Sequence, residues 1–417
     1  MRKGHQDMHR WWLKAMGGLA QLIWGTCALA QWSMEEALER AVERAPEVQR
    51  ARAELAIAEA HREFGRIPWV ANPTLSLRAM LGVPDDRAAI YGIFLGIPID
   101  FSGRQGLRER EAEEMVAAAD ARLEAARNDA KAAALVAYID VAIADVRFEL
   151  RQARLRLAEE LLARTQALLK VGASTLLEHA LVEAEVGQAR AASAEGARLA
   201  WEARARFRNV LDLDAEEVVT VEALAPPEAP PGDLQTWLRR ARERRAEPRH
   251  FSALRRRLRL TESRLFAERI DPLLFGAEWE TQGNVQSAHT FGFSLNWSFP
   301  ILWTAQGDRA VARGEENAAS VNEGLALRGV EREVVEAAGR LENSLRALKA
   351  LQEEAIPAME RALEGAMELL ENGATDIFHV LLTQKQLFEI RERAIDAMSE
   401  AWKAKAALWR AIGGFDE

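Results

Sequence analysis

From Leu107 to Lys170 the chain contains neither proline nor glycine. Ala, Glu, Arg and Leu dominate this stretch, residues that lose little freedom on entering a helix. Within it Val141, Phe148, Leu155, Leu162 and Leu169 recur every seven residues, a seam that demands a second helix alongside. A helix of roughly 65–70 residues, rising about 1.5 Å each, spans on the order of 100 Å, far more than a globular core. The chain must build a rod.

The rod is written twice. "MEEALERAVERAPE" (34–47) recurs as "LQTWLRRARERRAEP" (234–248), and "YGIFLGIPIDF" (91–101) as "FSLNWSFPILW" (293–303). "LLKVGASTLLE" (168–178) matches "LLENGATDIFH" (369–379), and "WEARARF" (201–207) matches "WKAKAAL" (402–408). Four ordered matches at a near-constant offset mark an internal duplication. The reading is a first repeat at 31–221, a Pro-rich linker at 222–233 and a second repeat at 234–417. Each repeat runs helix, strand, strand, long helix, helix. In the first, a helix from about Met34 to Arg66 and one beyond the break at 171–174 stack end to end to match the long helix. In the second, the helices fall near 234–270, 305–370 and 375–412.

The strands are expected at about 72–82, 89–102, 272–283 and 289–303. In "HTFGFSLNWSFPILW" (289–303) every second residue is large and apolar, the period of a strand with one greasy face. Strands of this length suit a tilted bilayer crossing. Four cannot close a barrel, and open edges cannot face lipid, so several copies must contribute. Tyr91, Ile93, Leu95, Phe275, Trp279, Phe291, Phe293, Leu295, Trp297 and Phe299 are the expected lipid-facing residues, with Gly, Ser and Asn toward the lumen. Trp69, Phe101, Trp297 and Trp303 suit the membrane interface.

Composition limits the alternatives. The formal charge of −9 lacks the basic excess of a nucleic-acid binder. No apolar run in the body reaches the roughly 20 residues of a spanning helix. Residues 1–30 read as a signal peptide: Arg2, Lys3, Arg10 and Lys14, an apolar stretch, then Ala28-Leu29-Ala30. The only cysteine, Cys27, falls inside it, behind a poor lipoprotein sequence. The basic run "RHFSALRRRLRL" (249–260) reads as a solvated helix face with coiled-coil partners. No phosphate loop, metal-ligand cluster or nucleophile–base spacing is present, so no catalytic residue, cofactor or metal site is expected.

With "PIDFSGRQ" and "PILWTAQGDR" opening the long helices and "KVGAST" and "NGATDI" breaking them, the mature chain resembles the TolC-type outer-membrane efflux proteins. "KVGASTLLEHALVEAEVGQAR" is most similar to the branch serving heavy-metal efflux. The resemblance implies a mainly helical trimer with a twelve-stranded barrel in the outer membrane of a Gram-negative bacterium and a coiled-coil tunnel through the periplasm. It implies a periplasmic adaptor (membrane fusion) protein and an inner-membrane pump, of the RND or ABC type, as partners. It also implies that Val171, Gly172, Ala173, Ser174, Asn372, Gly373, Ala374 and Thr375 form the tips that meet the adaptor. Glu178 and His379 occupy equivalent places just beyond the tips, with Asp376 close by. In the family, acids there narrow the tunnel and favour cations; three-fold symmetry makes one carboxylate a ring. A histidine there would make the constriction pH-sensitive. Solvated outer positions are the plain alternative for these residues, as a bare helix hairpin is for the tips. Lone His179 and His379 lack the spacing of a metal site. The efflux duct is the leading function. A type I protein secretion duct and a structural periplasmic coiled-coil protein are the alternatives. A small-solute porin has no need of the long helices.

Overall fold

The computed structural model describes residues 31–68, 71–81, 89–172, 174–283, 288–298, 302, 304–372 and 374–414. The leader 1–30 with Cys27 lies outside these residues, as do Trp69, Ala173, Phe299, Ile301, Trp303 and Gly373. The first half consists of α1 (Met34–Arg44), α2 (Pro46–Gly65), β1 (Thr74–Leu81), β2 (Ala89–Ile99), α3 (Arg104–Lys170) and α4 (Leu176–Leu211). The second consists of α5 (Leu234–Arg244), α6 (Ala246–Glu268), β3 (Leu273–Gly283), β4 (Ala288–Asn296), α7 (Gln306–Ala350), a π-helical turn (Leu351–Ala355), α8 (Ile356–Glu371) and α9 (Ile377–Ala411).

The helix expected from Met34 to Arg66 is in fact two. Ala45 is extended, because Pro46 opens α2 and its ring disfavours a helical residue before it. The second half breaks at the equivalent Arg245 without a proline there. Instead the buried Arg245 guanidinium donates to Glu247 and to the Arg410 carbonyl at 2.6 Å, tying the corner to α9. The long helix α3 runs unbroken for 67 residues. Its seam packs on α4, where Leu155 and Leu162 lie against Val186 and Ala189. A Cβ on Gly196 of α4 would come within 3.2 Å of Phe148, so glycine lets the two helices approach there.

The second long helix runs from Gln306 to Glu371 but carries a π-helical turn at Leu351–Ala355. Ala130, Ala134, Ala137 and Val141 of α3 face one core, and Val330, Val334, Ala337 and Leu341 of α7 face its counterpart, each 200 positions later. Beyond the π-turn the caps of the return helices, Thr175 and Asp376, are 201 positions apart. The second repeat has therefore gained one residue, and a π-turn is the way a helix absorbs one. Pro357, which has no N–H to donate, follows directly.

Packing joins the halves into one wall. α3 contacts α2 and α6 toward the sheet, and α4 and α9 away from it; α7 contacts α6 and α9. The basic run on α6, with Arg264 one turn beyond it, is spent on both neighbours. Arg249, Arg256 and Arg264 pair with Glu124, Glu114 and Glu111 of α3. Arg255 and Arg259 pair with Glu323 and Glu316 of α7. Exposed pairs add little stability singly, but an alternating set fixes which register two helices adopt.

The Pro-rich segment is strapped down. Trp32 forms a parallel bridge with Val221. The Tyr138 hydroxyl donates to the Glu222 carbonyl at 3.2 Å, and Trp402 Nε1 to the Ala225 carbonyl at 2.9 Å. Both halves thus hold the segment that joins them. Among the described residues no helix is long and apolar enough to cross a membrane.

Candidate functional site

The four strands form one antiparallel sheet in the order β1-β2-β3-β4. Its register sorts the side chains cleanly. Leu77, Ile93, Trp279 and Phe291 form one row, and Leu75, Leu95, Ala277 and Phe293 the next, all on one face. Tyr91, Phe275 and Leu295 lie on that face by the same alternation. Phe275 stacks on Phe293 with centroids 6.0 Å apart. No helix covers this surface: Phe291, Phe293 and Leu295 are exposed, Phe293 to 79%. Trp297, just past β4, is exposed as well, and so is Phe101 beside β2. An apolar patch of this extent marks a surface meant to be covered.

The opposite face carries the rows Arg78, Gly92, Glu280, Thr290 and Ser76, Phe94, Glu278, Gly292. Arg78 reaches diagonally to Glu278 at 3.9 Å. Phe94 is the exception on this polar face, and alternation alone did not mark it as a feature. Its ring lies over Gly276, where a Cβ would sit 2.2 Å from Cε2, and it also closes on Gly96. The absent side chains let the aromatic ring lie flat against the sheet. Gly276→Val should therefore force Phe94 off the wall. Thermal unfolding is expected to show a loss of about 1–3 kcal/mol from overpacking, recovered largely by adding Phe94→Ala.

At the far end of the rod, α3 ends at Val171 and Gly172, whose φ of 73° is left-handed and costs glycine nothing. Thr175 then caps α4 in a capping box: its hydroxyl accepts from the Glu178 N–H, and the Glu178 carboxylate accepts from the Thr175 N–H at 2.7 Å and the Ser174 hydroxyl at 2.8 Å. In the second repeat α8 ends at Asn372, and the Ala374 N–H donates back to the Leu369 carbonyl. Asp376 caps α9, accepting from the His379 N–H at 3.1 Å and contacting His379 Nδ1 at 2.8 Å. Glu178 and His379 thus occupy the third position of equivalent helices. Both acids are first of all caps. Around them Val171, Leu176, Leu177 and Phe378 are exposed, Leu176 to 77%. The three beyond Val171 belong to no periodic pattern that singles them out in the sequence.

The caps set a pH dependence. The Thr175 backbone N–H, with the Ser174 hydroxyl, holds the Glu178 carboxyl below its usual range, and His379 does the same for Asp376. Depressed carboxyl pKa values stabilise the fold above the unfolded values, about 4.3 for Glu and 3.9 for Asp. That contribution is lost as pH falls from there through the folded values. Hydrogen-exchange protection at the starts of α4 and α9 should fall between about pH 5 and pH 3 while the middle of α3 keeps its protection. Among the described residues no three His, Cys, Asp or Glu are grouped to hold a metal ion.

A long paired-helix rod with a four-stranded sheet at one end, apolar on one face, is an architecture with known relatives. The family model described as "Outer membrane efflux protein" matches residues 37–211, from within α1 to the end of α4. The cobalt-zinc-cadmium resistance protein CzcC of Cupriavidus metallidurans is 26% identical over 327 residues, 76% of either chain. The solved structure of CusC, described with its transmembrane channel formation, aligns at a TM-score of 0.73 and 15% identity, covering 94% of this chain and 96% of that one. The outer membrane protein VceC of Vibrio cholerae aligns at 0.73 and 15% identity, covering 92% and 97%. At such identities the two structures speak for the fold: barrel strands continued by a helical tunnel, present here in both repeats. The outer membrane efflux family model thus matches the first repeat, and together with these likenesses over most of both chains it makes the chain an outer-membrane efflux channel extending into the periplasm.

Proposed function

We propose that the channel acts as a homotrimer, the exit duct of a tripartite system that removes heavy-metal cations. The observation that carries the assembly is the sheet: its apolar face is bare, and β1 and β4 have no further partner within the described residues. Lipid tolerates no open edge, so each copy must extend the sheet of the next, and three copies give twelve strands. The apolar face then meets lipid, and the face bearing Arg78, Glu278 and Glu280 lines the lumen with an excess of negative charge. The tips of both repeats, from Val171 to Ser174 and from Asn372 to Thr375, dock the periplasmic adaptor, which links the duct to the inner-membrane pump. Just inside them Glu178, Asp376 and His379 ring the entrance; Asp376 already lies close enough for its charge to act on Glu178.

Cation cargo is supported by this negative excess and by the name of the cobalt-zinc-cadmium resistance relative. The test is complementation. Expressed with its adaptor and pump in a host lacking such a duct, the chain should raise tolerance to zinc, cobalt or cadmium. Unchanged tolerance to all three, with export of a protein substrate restored, would replace this cargo with that of a type I secretion duct.

A further inference from the structure

The polar face of the sheet is rich in glycine, a residue that packs nothing and weakens a strand unless a close approach requires it. One row across β2, β3 and β4 is Gly96, Gly276 and Ser294, and the next is Phe94, Glu278 and Gly292; Gly92 follows on β2. Phe94 is the one aromatic residue on this face among the described residues. Its ring accounts for two of the glycines. A Cβ on Gly96 would meet Phe94 Cε1 at 2.9 Å and Leu274 Cδ1 at 3.0 Å, and one on Gly276 would meet Phe94 Cε2 at 2.2 Å. The other two glycines have no such reason. A Cβ on Gly292 would meet nothing within 4 Å, and one on Gly92 nothing nearer than 3.7 Å. The ring lies toward Gly96 and Gly276, and the wall on its other side is bare.

The seat of the ring carries its own penalty. The spot above Gly276 that Phe94 crowds lies 2.6 Å from Ser294 Oγ as well, and that hydroxyl oxygen is buried with no hydrogen-bond partner. Keeping a hydroxyl from water without a partner costs free energy, whereas the ring gains by lying against Leu274 and the strand. The two contributions oppose each other. A phenylalanine has three staggered positions about its Cα–Cβ bond, and rotation out of the observed one carries the ring off Gly276 and returns Ser294 to water. Gly92 and Gly292 leave the room for that rotation.

We infer that Phe94 is the selectivity-determining residue of the barrel, a hinged ring that leaves its glycine seat and narrows the lumen at the level of Glu278. Seated, the ring lies along the wall and the bore is at its widest. Lifted, it stands toward the axis beside Glu278, its direct partner on β3. Three-fold symmetry sets three rings at one height, so a swing in each copy acts three times on whatever passes. Bulky solutes are slowed most, and a hydrated cation is brought nearer the carboxylates. This inference rests on the trimer proposed above, with the polar face inward, and goes beyond it by naming the residue that sets the bore.

The test uses trimers extracted from outer membranes and placed in planar bilayers, with neutral polyethylene glycols of graded size as probes of the bore. The unaltered channel should show brief partial closures. Phe94→Ala should lose them and admit larger glycols. Ser294→Ala, which removes the covered hydroxyl, should make the closures several-fold rarer while the fully open conductance stays the same, a result that a merely structural ring would not give. In protein that also carries Cys27→Ser, Ser294→Cys should react with a water-soluble methanethiosulfonate several-fold faster once Phe94→Ala is added. Conducting trimers with the same closures and bore with and without Phe94→Ala or Ser294→Ala overturn the hinge and leave the duct standing. Should Phe94→Ala fail to assemble, the Ser294→Ala closures decide alone. A Ser294→Cys rate indifferent to Phe94→Ala overturns the seat over Ser294. Unaltered protein that neither assembles nor conducts overturns the trimer, and this inference with it.

Discussion

Phe293→Arg should leave no assembled protein in the outer membrane. Phe293 is the most exposed residue of the apolar sheet face, opposite Ala277 and stacked beside Phe275. An arginine on the lipid side of a barrel costs about 2–4 kcal/mol near the midplane. A trimer presents it three times, so the assembly loses roughly 6–12 kcal/mol, comparable to the whole stability of a domain. Its neighbour is the control. Gly292 faces the other way, and a Cβ there would meet nothing within 4 Å. Gly292→Lys should reach the membrane in wild-type amounts and weaken the channel's preference for cations. Quantifying both variants in detergent-extracted outer membranes decides the facing of the sheet. Equal losses, or a loss confined to Gly292→Lys, would reverse it.

Leu176→Glu should abolish efflux while leaving membrane assembly intact. Leu176 opens α4 at the tip and is almost wholly exposed, with Val171 and Leu177 beside it. Apolar side chains left bare at a helix hairpin have no structural use, since the turn is already closed by Gly172 and the Thr175 cap. Buried under a partner, such a residue is an anchor worth about 2 kcal/mol or more, so adaptor affinity should fall by roughly 30-fold. Gly172→Val should act in the same direction by a different route, because a β-branched residue at a φ of 73° is strained and must reshape the turn. Pull-down of the adaptor with each variant, alongside native mass of the channel, separates docking from assembly. Wild-type binding by Leu176→Glu would move the docking surface away from the tip.

Much of the architecture was legible because its signals are periodic. Heptads over α3, alternation over β4 and a duplicated order of elements each repeat often enough to outvote local noise. The features that escaped are single events. The break at Ala45 follows from Pro46, but its twin at Arg245 depends on an arginine reaching a carbonyl 165 residues away. The π-turn at Leu351–Ala355 is one inserted residue within a helical pattern that stays apolar on the same side. In the sequence Phe94 is one apolar residue among several in its strand; only the register reveals that it lies over Gly276 on the polar face. At the tip, residue types named the turn, yet the carboxylates of Glu178 and Asp376 prove to be engaged in capping, a role fixed by contacts three residues away. The partners of the α6 arginines, Glu111, Glu114, Glu124, Glu316 and Glu323, were equally hidden, because pairing across helices depends on register and not on spacing.

A membrane duct must be recovered from the membrane and must conduct. Protein extracted from outer membranes with detergent should have the mass of a trimer. Placed in a planar lipid bilayer, it should give discrete single-channel currents that Gly292→Lys shifts toward anions. A chain recovered without detergent as a soluble monomer, carrying no current, would not be a membrane duct.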